Sequence, residues 1–137
     1  MGTRSRIGKQ LADGSILSVY CHYDGYPEYN GRVLREYFSS ADKVSELIDG
    51  GNMSCTWTNA GWGNETLSES GPLHYTSRGE SLESNAPRLD KDMEEFFSEG
   101  EEYSYVFTSS GWVCYNMNEF NDKDPEIVEI PAGNLAA

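Results

Sequence analysis

Residues 16–38, ILSVYCHYDGYPEYNGRVLREYF, decide the fold, because they read as a strand that runs through a polar, aromatic turn into a helix. Ile16 to Tyr20 is rich in aliphatic and β-branched side chains, which suit a pleated, packed surface. Alternation places Leu17, Val19 and Cys21 on one face and Tyr20 and His22 on the other, so Cys21 and His22 point apart. Asp24-Gly25 and Pro27 interrupt the strand, since glycine tolerates positive φ and proline lacks the ladder donor. Beyond the turn, Val33, Leu34, Tyr37 and Phe38 recur at the spacing of an amphipathic helix, with Asn30 as its N-cap.

Upstream, Arg6 to Leu11 and Ile16 to Cys21 flank Asp13-Gly14, the signature of a two-residue type I′ hairpin. That corner pairs Leu11 with Ile16 and Ile7 with Tyr20. It therefore sets Ile7, Leu11, Ile16 and Tyr20 against one face and Leu17, Val19 and Cys21 against the other. Both faces carry apolar residues, so each calls for a cover. Downstream, Ser39 or Ser40 caps a second helix with Val44, Leu47 and Ile48 as its stripe and Gly50-Gly51 as its stop. Residues 58–88 form a long stretch of Asn, Gly, Ser and Thr, readable as a functional loop, a mobile one or a set of short strands. Leu89, Met93, Phe96 and Phe97 then mark a short helix. Tyr103 to Thr108 and Trp112 to Met117 form a second hairpin about Ser110-Gly111, with Tyr103, Tyr105, Phe107, Trp112 and Cys114 on one face and Val106, Val113, Tyr115 and Met117 on the other. Glu126 to Ile130 adds an edge strand, and residues 131–137 read as a frayed tail.

Several motifs carry a resemblance: Thr3-Arg4-Ser5-Arg6-Ile7, then Tyr20-Cys21-His22-Tyr23-Asp24-Gly25-Tyr26-Pro27, Gly31 with Leu34 and Tyr37, and His74-Tyr75 with Arg78-Gly79-Glu80. Together they resemble a family of small tailed-bacteriophage proteins over about the first 80 residues, with Tyr23 where that family has tryptophan. The resemblance implies a phage origin and expression inside an infected bacterium. It implies no activity and assigns no catalytic residue.

The chain has 137 residues and a net charge of −13, the size of one domain that buries an ordinary core. Residues 1–50 carry six Lys/Arg against seven Asp/Glu, whereas residues 51–137 carry four against sixteen. Such a field repels phosphates and attracts a basic protein surface, so direct nucleic-acid binding is disfavoured. No run of eighteen apolar residues and no signal-peptide core is present, which predicts a soluble, cytoplasmic protein without membrane contact, and the resemblance implies that this cytoplasm is that of the host. Three cysteines, Cys21, Cys55 and Cys114, fit reduced thiols that pack as small core residues.

Two surfaces stand out as candidate sites. The turn brings together His22, Tyr23, Asp24 and Tyr26, and Arg78 and Glu80 join it if the resemblance marks one site. Flat rings with a few polar groups suit stacking on a nucleobase or on a partner's side chains. The competing reading makes the rings a cap on the core and Asp24 an Asx-turn residue. Asp90, Asp92, Glu94, Glu95, Glu99, Glu101 and Glu102 form an acidic face that either imitates nucleic-acid phosphates or simply keeps the chain soluble. A metal at Cys21, His22, Asp24 and His74 is disfavoured because Cys21 and His22 diverge, and the same divergence defeats a Cys21–His22 nucleophile pair. Gly61-Trp62-Gly63 lacks the strand and helix that a phosphate loop requires.

The expected architecture is α+β, a mostly antiparallel sheet from two hairpins with two or three short helices gathered on one side. The expected function is non-enzymatic: binding and modulation of a host protein with a basic surface, with no cofactor. The alternative is a small-ligand protein that sequesters nucleotide-type molecules on the turn, and an enzyme comes third because no catalytic constellation is evident.

Overall fold

A computed structural model describes residues 3–23, 25–56, 73–98, 101–118 and 124–130. The strands are β1 (Ser5–Gln10), β2 (Ile16–Cys21), β3 (Met53–Cys55), β4 (Leu73–His74), β5 (Arg88–Asp90), β6 (Tyr103–Thr108), β7 (Gly111–Asn116) and β8 (Glu126–Val128). They join one sheet in the order β4-β3-β2-β1-β6-β7-β8, with β5 also paired to β2. The helices are α1 (Arg32–Tyr37), α2 (Ala41–Asp49), α3 (Leu82–Asn85) and α4 (Met93–Ser98). The class is α+β as expected, but the sheet is mixed. The two hairpins lie side by side through parallel β1 and β6, and β2 runs parallel to β3. The second parallel pair arises because the chain crosses over from β2 through α1 and α2 before it enters β3, as parallel neighbours require.

The first hairpin has a different register from the expected one. Gln10 pairs with Ile16 and Ile7 with Val19. Leu11 N–H donates to the Ser15 carbonyl at 2.8 Å, leaving Ala12, Asp13 and Gly14 as a three-residue loop with Gly14 at φ 90°. A slip of one residue changes a side chain's face, so Ile7 joins Val19 and Cys21 instead of Tyr20. The second hairpin turns at Ser109-Ser110, pairing Phe107 with Trp112 and Tyr105 with Cys114. Its faces are those expected.

One face of the sheet meets α1 and α2. Ile7, Val19, Cys21, Tyr105 and Cys114 pack there with Val33, Leu34, Phe38, Val44, Leu47 and Ile48. Leu17, Phe107 and Trp112 pack around this core, and the Trp112 Nε1–H donates to the Phe38 carbonyl at 2.8 Å, closing the end of α1. Ser40 caps α2 by accepting from Lys43 N–H at 3.3 Å, and Gly51 at φ 87° turns the chain after it. The opposite face carries a smaller cluster in which Phe96 of α4 covers Ile16 and Val106, with Met93, Phe97 and Tyr115 around it. Helices thus cover both faces, not one.

The entry to α1 also departs from expectation. A π-helical turn, Pro27–Gly31, precedes it, with Pro27 in its first turn. Asn30 lies inside that turn, fully buried, and is not an N-cap. Within 73–88 the chain forms β4, a 3₁₀ turn Tyr75–Arg78, and α3 capped by Ser81, so this part of the expected loop is short elements. Residues 58–72, with Gly61-Trp62-Gly63, lie outside the described residues, as does the tail 131–137. Leu89 belongs to β5 and is exposed instead of joining α4's apolar stripe. Among the described residues no helix is long and apolar enough to cross a membrane.

Candidate functional site

The aromatic turn has a structural inner side and an exposed outer side. On the inner side, Gly25 N–H donates to the Thr3 carbonyl at 2.7 Å, and the Gly25 carbonyl accepts from the Tyr105 hydroxyl at 2.6 Å. A Cβ on Gly25 would lie 2.7 Å from Ser5 Cβ, so the backbone approach requires glycine. Asn30 Nδ2 donates to Ser5 Oγ at 3.2 Å and to Cys21 Sγ at 3.5 Å, while its Oδ1 accepts from Thr56 Oγ1 at 2.6 Å. The Cys21 thiol in turn donates to the Tyr23 carbonyl at 3.6 Å. These buried bonds fix the path of the turn against β1, β2 and β6.

On the outer side, Tyr20, His22 and Tyr23 form a continuous aromatic patch. The β2 ladder aims Tyr20 away from the Val19–Cys21 face, and pairing continues past the strand, since His22 N–H donates to the Met53 carbonyl at 3.1 Å and Tyr23 N–H to the Ser54 carbonyl at 2.9 Å. Tyr20 Oη lies 2.7 Å from His22 Nδ1. With the imidazole proton on Nε2, the phenol donates to Nδ1 and holds the ring's orientation. The Tyr20 and His22 centroids are 5.9 Å apart, and the Tyr23 ring meets His22 edge-on at 4.5 Å and 80°. Tyr23 is 44% exposed.

Electrostatics and the backbone define the rim of the patch. Burial pushes the Tyr20 phenol above its ordinary range; the positive charge of Arg4 opposes that shift, while Tyr75 and Glu101 add to it. Asn52 Oδ1 accepts from Tyr20 N–H at 2.9 Å, and the Asn52 carbonyl accepts from Tyr75 N–H at 3.1 Å. One residue thereby ties the patch to the segment that holds Arg78 and Glu80. The backbone of Arg78 ends the 3₁₀ turn before Gly79 at φ 92°, and the exposed Glu80 donates its N–H to the Tyr75 carbonyl at 3.2 Å. Tyr26 is half-buried, its carbonyl taking the N–H groups of Tyr29 and Asn30. Asp24 lies outside the described residues. Sequence reasoning missed Tyr20, Asn52 and Tyr75. The first was visible in the alternation of Tyr20 with His22; the others depend on contacts between distant parts of the chain.

Cys21, His22 and His74 do not converge on a metal site. Cys21 is fully buried toward the helices, whereas His22 lies on the outer face. His74 sits beneath α2, its Nε2–H donating to the Leu47 carbonyl at 2.8 Å. Among the described residues no three His, Cys, Asp or Glu side chains are placed to hold a metal ion.

The acidic face is smaller than its sequence suggests. Asp92 Oδ1 accepts from Glu95 N–H at 2.9 Å, opening α4, and Glu94 and Glu95 are exposed. Asp90 does not belong to this face: it is 4% exposed and bonded to Arg88 Nε at 2.9 Å. Glu101 and Glu102 are half-buried, Glu101 on the side of Tyr20, and Glu99 lies outside the described residues. Comparison with protein-family models, curated proteins and solved structures gave no match.

Proposed function

We propose that this chain is a non-enzymatic binding protein that docks on another protein through Tyr20, His22 and Tyr23. The observation that carries this reading is the locked ring cluster: His22 is oriented by the Tyr20 hydroxyl and by an edge contact with Tyr23, on the rigid end of a central strand. Rigid aromatic groups with a polar handle lose little entropy on docking and supply much of the energy of protein interfaces. The net charge of −13 selects a basic partner. In line with the resemblance to tailed-phage proteins, that partner is a host protein whose activity is modulated during infection, and the exposed carboxylates of Asp92, Glu94 and Glu95 contribute to its attraction.

A second reading, a small planar ligand of nucleotide type stacked on the same rings, is favoured by the Asn52 bridge to the Arg78–Glu80 segment. The test is affinity capture from a bacterial host lysate at low and moderate salt, with the wild type beside His22→Ala and Tyr23→Ala. A host protein held by the wild type, released by salt and lost in both variants supports protein docking. Capture that both variants retain overturns it. Quenching of tyrosine fluorescence by nucleotides, with no protein captured, moves the site to the second reading.

A further inference from the structure

We propose that β8 is a docking edge that takes up, as an added strand, an extended partner segment of the pattern cation, apolar, apolar, cation. Among the described residues β8 ends the sheet, with β7 as its one neighbouring strand, so alternate residues turn backbone donors and acceptors outward. The strand is held at both ends. Arg35 Nη1 donates to the Ile130 carbonyl at 2.8 Å, and Asn118 Nδ2 donates to the Asp124 carbonyl at 2.7 Å and to Glu126 Oε1 at 3.1 Å. Such fixing lowers the ordering cost of adding a strand.

The side chains define what the edge accepts. Ile127 is 70% exposed, and Glu126 and Glu129 on either side of the Ile127-Val128 pair are exposed as well. An open groove of about 430 Å³ runs along this edge, lined in part by Arg35, Trp112, Val128 and Ile130. The series Glu126, Ile127, Val128, Glu129 reads acid, apolar, apolar, acid in either direction. Its cross-strand complement is therefore the same whether the incoming strand is parallel or antiparallel: cations opposite the glutamates, aliphatic groups opposite Ile127 and Val128. A second copy of the chain would bring Glu126 and Glu129 against their own kind, and the −13 charge adds to that repulsion. The occupant is thus a basic partner, engaged at a surface separate from the Tyr20–His22–Tyr23 patch.

The test uses a capped hexapeptide, Thr-Lys-Val-Ile-Lys-Thr, titrated into the isotope-labelled full chain while the backbone amides of residues 126–129 are followed by chemical shift and hydrogen exchange. The peptide should protect these amides. Of two versions N-methylated on alternate residues, the one blocked on the inward side should lose about tenfold or more in affinity, the other little. Replacing both peptide lysines with glutamate should abolish binding, and the double variant Glu126→Lys/Glu129→Lys should reverse that preference. Binding should persist in Tyr23→Ala, which separates this edge from the aromatic patch. No protection, equal affinity of both N-methylated peptides, or protection that grows with protein concentration in the absence of peptide overturns the proposal.

Discussion

The Tyr105 hydroxyl donates a 2.6 Å hydrogen bond to the carbonyl of Gly25, joining the centre of β6 to the aromatic turn across eighty residues of chain. Tyr105 is fully buried, so its removal leaves the Gly25 carbonyl without that donor in a dry site. Tyr105→Phe should lower stability by about 1–3 kcal/mol while the far-ultraviolet spectrum is kept. The same variant should raise hydrogen exchange at the Gly25 amide, which bonds Thr3 on the same turn. A stability change confined to a few tenths of a kcal/mol would show that the turn is held by the Thr3–Gly25 bond and the Asn30 network without help from Tyr105.

The His74 ring lies directly over Gly50, and a methyl group on Gly50 would overlap it. Gly50 has ordinary right-handed φ and ψ of −69° and −14°, so its backbone tolerates alanine and only the ring forbids it. Gly50→Ala should therefore displace the imidazole from the Leu47 carbonyl and cost about 1–3 kcal/mol. The double variant Gly50→Ala/His74→Ala relieves the overlap. Denaturant unfolding of the two single variants and the double should give a cost for the double well below the sum of the singles.

The Arg88–Asp90 pair, with Asp90 buried and Arg88 partly so, should cost more stability on mutation than the exposed glutamates of α4. Asp90 is 4% exposed, and its Arg88 partner also reaches the Phe96 carbonyl at 3.4 Å. Arg88→Ala leaves the buried Asp90 carboxylate beside α4 without its partner and should cost about 2–3 kcal/mol. Glu94→Lys/Glu95→Lys should cost less, about 1 kcal/mol, since both residues are exposed and the loss is that of the Glu95 carboxylate's bond to Lys91 N–H and of negative charge in the first turn of α4. The same double variant should weaken capture of a basic partner at low salt. Equal stability losses in the two variants would refute this division of roles.

How far the fold was legible depends on where each constraint resides. The four strands of the two hairpins, the edge strand, the Ser40 cap, and the Val44, Leu47 and Ile48 stripe follow from local spacing, whereas the short β3, β4 and β5 do not. Asp13-Gly14 announces a hairpin, yet the pair fits both a two-residue and a three-residue loop. The second wins here: Asp13 Oδ1 accepts from Ser15 N–H at 3.0 Å and Gly14 takes φ 90°. That choice moves Ile7 to the other face. In the second hairpin the corner shifts the pairing by two residues, which leaves every side chain on its own face. The parallel β1–β6 contact depends on how distant segments dock, so no local pattern encodes it. Within the site, Tyr20 and His22 were legible through alternation. Asn52, thirty-two residues from Tyr20, enters through its side-chain oxygen, which accepts from Tyr20 N–H and leaves no mark in spacing.

Cys114 and Tyr105 face each other across β6 and β7, and burial keeps both neutral. Burial pushes the Cys114 thiol up to about 12, and the Tyr105 phenol lies well above its ordinary range. In the unfolded chain both groups ionise at ordinary values, about 8.5 for a thiol and about 10 for a phenol. Both folded values are raised, so their contribution to stability is complete below the unfolded values and is lost as pH climbs toward the folded ones. The unfolding midpoint should accordingly be flat in these two groups at neutral pH, fall from about pH 9 as the unfolded thiol ionises, and fall more steeply above about pH 10. Cys114→Ala should have a lower midpoint at pH 7, because it leaves a cavity, but a shallower decline between pH 9 and 10. Chemical labelling gives an independent check: at pH 8 a thiol reagent should modify Cys114 no faster than the chain unfolds, as read from the labelled peptide by mass spectrometry. Rapid labelling of the folded protein, or a decline with the same slope in the alanine variant, would mean that Cys114 is accessible and ionises in place.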